Sequence, residues 1–138
     1  MNYKEFPKSF WQKIDSTLQE LKANDQKLIA AFDADGTLWD TDLGENFLNY
    51  EIDEKKVDLP SNPWEHYVTL KKVNNDPRDA YVWLSQINKG HSLNEVKQWA
   101  QVAYDQIEPK PIFSEQKKLI ELFLSHQVKI YIMTASIK

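Results

Sequence analysis

Phe10, Trp11, Ile14, Leu18 and Leu21 recur at helical spacing near the start of the chain, with Pro7 ahead of them and Asn24-Asp25 behind. That period predicts an amphipathic helix ending near residue 24. The pattern then changes. Residues 27–33 read Lys-Leu-Ile-Ala-Ala-Phe-Asp, a continuous apolar run that predicts a strand buried on both faces. A loop follows from 34 to about 41. Asp42 is an N-cap candidate, with Glu45 three residues on completing a capping box ahead of Phe47, Leu48 and Ile52. Residues 55–62 are polar and proline-containing, and read as a loop.

The middle of the chain is helical in period. Ser61 is placed to cap a helix carrying Trp64, Tyr67 and Val68. Asp76-Pro77 is a start signal for the stripe Tyr81, Trp83, Leu84 and Ile87, and Gly90 is placed as its C′ glycine. Ser92 and Glu95 predict a second capping box, before Val96, Trp99, Ala100, Ala103, Tyr104 and Ile107. Pro109 and Pro111 break the period and read as a hinge or linker. Ser114 then caps a helix with Leu119, Ile120, Phe123 and Leu124, and 128–133 has strand composition ending at Thr134.

The two strand-like segments are separated by about ninety residues, far more than a single crossover helix needs. The expected fold is therefore α/β: a core of residues 1–41 and 109–138 with parallel strands near 27–33 and 128–134, and an all-helical insertion over 42–108. Two strands cannot bury both of their faces, so one face of the sheet is expected to stay apolar and exposed, inviting self-association.

Composition narrows the function classes. The 138 residues are 41% hydrophobic and 28% charged, which suits a packed domain. A net charge of −4 argues against a nucleic-acid partner. Arg78 is the single arginine, and there is no cysteine to form a disulfide, thiolate site or nucleophile. The N-terminus lacks the apolar core of a signal peptide and no run reaches membrane-spanning length, so a cytoplasmic protein is expected.

The chemistry concentrates at the end of the first strand. In open α/β sheets, sites form beyond the carboxyl ends of strands. If 27–33 and 128–133 are parallel neighbours, Asp33, Asp35 and Thr134 surround one crevice. A carboxylate fixed at a strand end can attack phosphorus. A second, two residues on, can protonate a leaving oxygen and later deprotonate water. Gly36 permits a turn that brings backbone N–H groups towards phosphoryl oxygens, and the Thr134 hydroxyl can donate to one of them. Mg²⁺ suits such oxygen ligands. An acidic turn after a strand is the plain structural alternative.

FDADGTLWD (32–40) resembles the first motif of the haloacid dehalogenase superfamily, a hydrophobic strand followed by DxDGT and a hydrophobic residue. KIYIMTAS (129–136) resembles its second motif, and a helical insert between the two is similar to that family's C1-type cap. The resemblance implies a Mg²⁺-dependent hydrolase of a small phosphorylated metabolite, working through an aspartyl-phosphate. Asp33 matches the nucleophile and a metal ligand. Asp35 matches the general acid/base and a metal ligand through its carbonyl. Gly36 and Thr37 belong to the same motif, and Thr134 matches the phosphate-binding hydroxyl. Asp35 separates the chain from true dehalogenases, which lack that second aspartate.

The phosphoserine phosphatase-like branch looks most similar. There an acid shortly after the first motif helps read the substrate, and Asp42 lies at a comparable distance, although the N-cap role is favoured for it. That branch also uses a cap arginine, for which Arg78 is the sole candidate. Counting back from Gly90 points instead to Val82, one helical turn away. The lysine and late acidic strand end that complete the family's site do not precede Thr134. The expectation is the N-terminal part of a longer phosphatase, with little activity alone. The alternative is a non-catalytic remnant that binds metal or a protein partner. His66, His91 and His126 are scattered and read as ordinary surface or helix-end histidines, and Trp39 as a packing residue.

Overall fold

The computed structural model describes residues 4–134. In chain order the elements are α1 (Lys8–Ala23), β1 (Ile29–Asp33), α2 (Leu43–Asp53), α3 (Pro63–Lys72), α4 (Arg78–Gln86), α5 (Leu93–Asp105), α6 (Ser114–Ser125) and β2 (Lys129–Met133). A single 3₁₀ turn, Val73–Asn75, follows α3. The chain is thus a mixed α/β protein whose described residues form one two-stranded parallel sheet. The described residues fall into two compact units, 4–41 with 109–134, and 42–108. No helix among them is long and apolar enough to cross a membrane.

In the first unit, β1 and β2 pair in parallel, with Ile29 opposite Lys129 and Asp33 opposite Met133. The side-chain period of two then sorts the strands into faces. Ala30, Phe32 and Ile130 turn to the covered face, where the Phe32 ring lies 6.0 Å from that of Phe123 in α6. Ile29, Ala31 and Asp33 stand beside Lys129, Tyr131 and Met133 on the other face, and all six are exposed. Burial of 27–33 on both faces is therefore corrected to one. A continuous apolar run does not reveal how many layers cover it, and here helix packing reaches one side.

The segment before α1 is tied to the start of α6. The Phe6 N–H donates to Glu115 Oε2 at 3.0 Å. Lys118 and that N–H hold the Glu115 carboxyl below its usual range. At the other end of α1, Lys22 Nζ lies 3.1 Å from His126 Nδ1.

In the second unit, Leu48, Tyr67, Ala80 and Leu84 form one buried cluster, and Phe47, Tyr50 and Ala103 another. The Ser92–Glu95 capping box closes in both directions. Other caps differ from the sequence reading. Asp42 accepts from the Glu45 N–H, but the Glu45 carboxylate does not close the box. It turns to Tyr67 Oη at 3.1 Å and Lys71 Nζ at 2.7 Å, charge pairing outweighing a second cap bond. α3 starts at Pro63 with Asn62, not Ser61, at its cap. α4 begins after Pro77 and ends at Gln86, so Gly90 lies beyond its C′ position and serves the following turn at φ +101°. Ser114 is the first helical residue of α6 and Phe113 its N-cap.

Candidate active site at the carboxyl end of the sheet

The loop after β1 is built by its own backbone. The Ala34 carbonyl, on a residue only 1% exposed, accepts from the Thr37 N–H at 3.1 Å and the Leu38 N–H at 2.8 Å. Gly36 adopts φ +73°, a left-handed conformation that an L side chain strains to enter. Its N–H donates to the Trp39 carbonyl at 2.8 Å, closing the turn on itself. The N–H groups of Gly36, Thr37 and Leu38 are thus spent inside the loop. The expected delivery of the Gly36 turn's N–H groups to phosphoryl oxygens is absent from this geometry, where Gly36 serves the turn.

This turn fixes the two acids differently. Asp33 ends β1 on the exposed face, and the Thr37 hydroxyl approaches its Oδ2 at 3.4 Å. Asp35 is half-buried, and the Trp39 indole N–H donates to its Oδ1 at 2.6 Å. So short a bond holds the carboxyl group in one rotamer. Trp39, read from sequence as packing, therefore orients the second acid. The signal was its position four residues after Asp35, within reach of a tight turn.

The segment read as a plain linker also supports the loop. The Asp40 N–H donates to the Pro111 carbonyl at 2.7 Å, and the Phe113 N–H to the Leu38 carbonyl at 3.1 Å. Trp39 and Ile112 form an isolated antiparallel bridge. The prolines end the preceding helix, yet their carbonyls remain acceptors.

Thr134 follows Met133, the register partner of Asp33, so it stands one residue beyond the Asp33 level and is exposed. The sheet thus brings Asp33, Asp35, Gly36, Thr37 and Thr134 to one end. No family model, curated protein or solved structure matches the chain.

Asp42 and Arg78 belong to the helical unit, and each has a structural partner there. Asp42 caps α2 through the Glu45 N–H at 2.9 Å. Arg78 is gripped by Asp76, which accepts from Arg78 Nε at 2.7 Å and from its backbone N–H at 3.0 Å. That pairing raises the arginine's pKa and lowers the aspartate's. Val82 is exposed on α4.

The donor chemistry near Asp33 fits a hard cation. Asp33 and Asp35 offer carboxylate oxygens of the kind Mg²⁺ takes alongside water and substrate phosphate. Among the described residues no group of three or more His, Cys, Asp or Glu side chains is placed to hold a metal ion. His66 and His91 instead meet Trp83 and Trp99 edge to face, at 5.0 and 4.9 Å.

One further group went unnoticed in the sequence. Glu51 is 1% exposed in α2, and burial raises its pKa to about 7 against a partly compensating Asn88 contact. Its place among Phe47, Leu48 and Ile52, on the apolar stripe, was the available sign.

Proposed function

We propose that the chain carries the nucleophile and the acid–base carboxylate of a Mg²⁺-dependent phosphomonoester hydrolase of the haloacid dehalogenase type, acting on a small phosphorylated metabolite. In this reading residues 42–108 are a helical cap on a Rossmann-like core. The observation that carries it is the pairing of β1 with β2 in parallel, which sets Asp33 at a strand end with Asp35 held two residues on by Trp39.

The steps follow from the residues. An Asp33 carboxylate oxygen attacks phosphorus, and the bond from phosphorus to the ester oxygen breaks. The Asp35 carboxyl, held over the turn by Trp39, is the group that gives a proton to the departing alkoxide. Asp35 then takes a proton from water, whose oxygen displaces Asp33 and releases phosphate. The Thr37 hydroxyl restrains one Asp33 oxygen, favouring attack by the other, and Thr134 offers a donor to the phosphoryl group. Mg²⁺, held by Asp33 and the Asp35 carbonyl, would neutralise phosphoryl charge when bound.

A second reading, binding without turnover, draws support from the loop N–H groups already spent within the turn. Phosphorylation separates the two. Incubated with acetyl phosphate and Mg²⁺, the chain is expected to gain a hydroxylamine-labile phosphoryl adduct, seen by intact mass, that Asp33→Asn cannot form. An adduct that persists in that variant removes Asp33 as nucleophile, and none in the parent chain favours binding alone.

A further inference from the structure

Ile112 is a large apolar side chain, 40% exposed, in the segment that leads from Glu108 at the end of the helical unit into α6. Its backbone setting is specific. The Asp40 N–H donates to the Pro111 carbonyl and the Phe113 N–H to the Leu38 carbonyl, and these two bonds bracket the antiparallel bridge between Trp39 and Ile112. Trp39 and Ile112 are therefore a non-hydrogen-bonded pair. In such pairs the opposed residues approach most closely, and their side chains stand next to each other on one face.

Trp39 is also the residue that holds Asp35. Its indole N–H donates to Asp35 Oδ1 at 2.6 Å, and its carbonyl accepts from the Gly36 N–H at 2.8 Å. Both bonds come from the loop itself. A β-branched neighbour across the bridge, restricted at χ1, adds a stiff wall beside the tryptophan side chain. The segment that carries this wall is itself anchored. Pro111 is buried and its ring fixes φ, while Phe113 is the N-cap of α6, whose Glu115 accepts the Phe6 N–H at 3.0 Å. A continuous set of covalent and hydrogen-bonded links thus runs from α6 through Ile112 and Trp39 to the Asp35 carboxyl.

We infer that Ile112 is a positioning residue for the acid–base carboxyl, acting through the Trp39 indole. The inference rests on the hydrolase reading for the role of Asp35, and it adds to that site the segment by which the chain returns from the helical unit.

Solvent exchange of the indole N–H groups, followed by NMR in the 138-residue chain, tests the link without turnover. Trp39→Phe identifies the Trp39 signal by its loss. Ile112→Ala removes the neighbour and should speed exchange at Trp39 by up to about fivefold, with the remaining indole signals unmoved. Ile112→Val keeps a β-branched wall and should stay close to the parent, which separates lost packing from a folding defect. The acetyl phosphate adduct supplies a second readout. Ile112→Ala should form the adduct as the parent does and hydrolyse it more slowly by a similar factor, with a shifted pH profile, while Ile112→Val hydrolyses it normally. Unchanged exchange at Trp39 in Ile112→Ala overturns the inference whatever the adduct does. Faster exchange with parent-like adduct lifetimes at every pH also overturns it, leaving Ile112 a structural contact only. If the parent chain forms no adduct, the hydrolase reading falls, and the exchange rates alone decide whether Ile112 holds the Trp39–Asp35 pair.

Discussion

The indole N–H of Trp39 donates to Asp35 Oδ1 at 2.6 Å, across a turn closed by the Gly36 N–H on the Trp39 carbonyl at 2.8 Å. Side chain and backbone of one tryptophan therefore set both the position and the rotamer of the second acid. Trp39→Phe keeps the ring and deletes the donor. A hydrogen bond to a charged group contributes about 1.5–3 kcal/mol. The variant should still form the Asp33 adduct but hydrolyse it about tenfold more slowly or worse, with an altered pH profile for that step. Adduct lifetimes followed by intact mass across pH provide the check. Parent-like lifetimes at every pH would show that Trp39 does not position Asp35.

Asp42 offers a separable test of two roles. Its side chain caps α2, a contact whose loss costs about 1 kcal/mol. Asn caps nearly as well as Asp. Asp42→Ala is therefore expected to lower stability by about that amount in urea unfolding, and Asp42→Asn to leave it nearly unchanged. The asparagine variant then isolates charge. Weaker binding of a phosphate ester bearing an amine, with stability preserved, would add a substrate role to the structural one.

How much of this was legible follows from the range of each interaction. The helices, both strands and the acids after β1 were readable, because period and turn chemistry are local. Helix ends were less so. Glu45 fits a capping box by spacing, but its carboxylate is claimed by Tyr67 and Lys71, 22 and 26 residues away. That ion pair raises the pKa of Lys71, while burial, aided by Glu45, raises that of Tyr67. Pro111 and Ile112 looked like a break because proline signals one locally, whereas their pairing with 38–40 depends on the return of a distant segment. The one-sided burial of β1 was hidden for the same reason.

The uncovered sheet face carries its own expectation. Ile29 is 56% and Met133 64% exposed, flanking Tyr131 on a sheet of two strands, fewer than a sheet usually needs to stand alone. Lys129 Nζ lies 5.0 Å from the Tyr131 ring and shields only part of it. The chain is expected to self-associate with rising concentration in sedimentation velocity. Replacing Ile29 and Met133 together by Thr should shift the distribution to monomer while the helical circular dichroism is retained. Concentration-independent sedimentation of the parent chain would show that this face is not adhesive.

Glu51 gives the helical unit a pH dependence of definite sign. The carboxyl is 1% exposed, its Oε1 has no hydrogen-bond partner, and Asn88 Oδ1 is likewise buried without one. The influences on it are burial, which raises its pKa from 4.5 to about 7, and the opposing Asn88 contact. No charged side chain figures among them. Between those two values the folded state holds a proton that the unfolded chain has released, so unfolding free energy must fall as pH rises and level off above 7. The loss is on the order of 3 kcal/mol. Glu51→Gln removes the titration while keeping the size of the side chain. Parent and variant should therefore be similar in stability at pH 5 and diverge by pH 8, with the variant the more stable. Urea unfolding followed by helical circular dichroism at both pH values measures the gap. A parent chain as stable relative to the variant at pH 8 as at pH 5 would mean that Glu51 is not desolvated in solution.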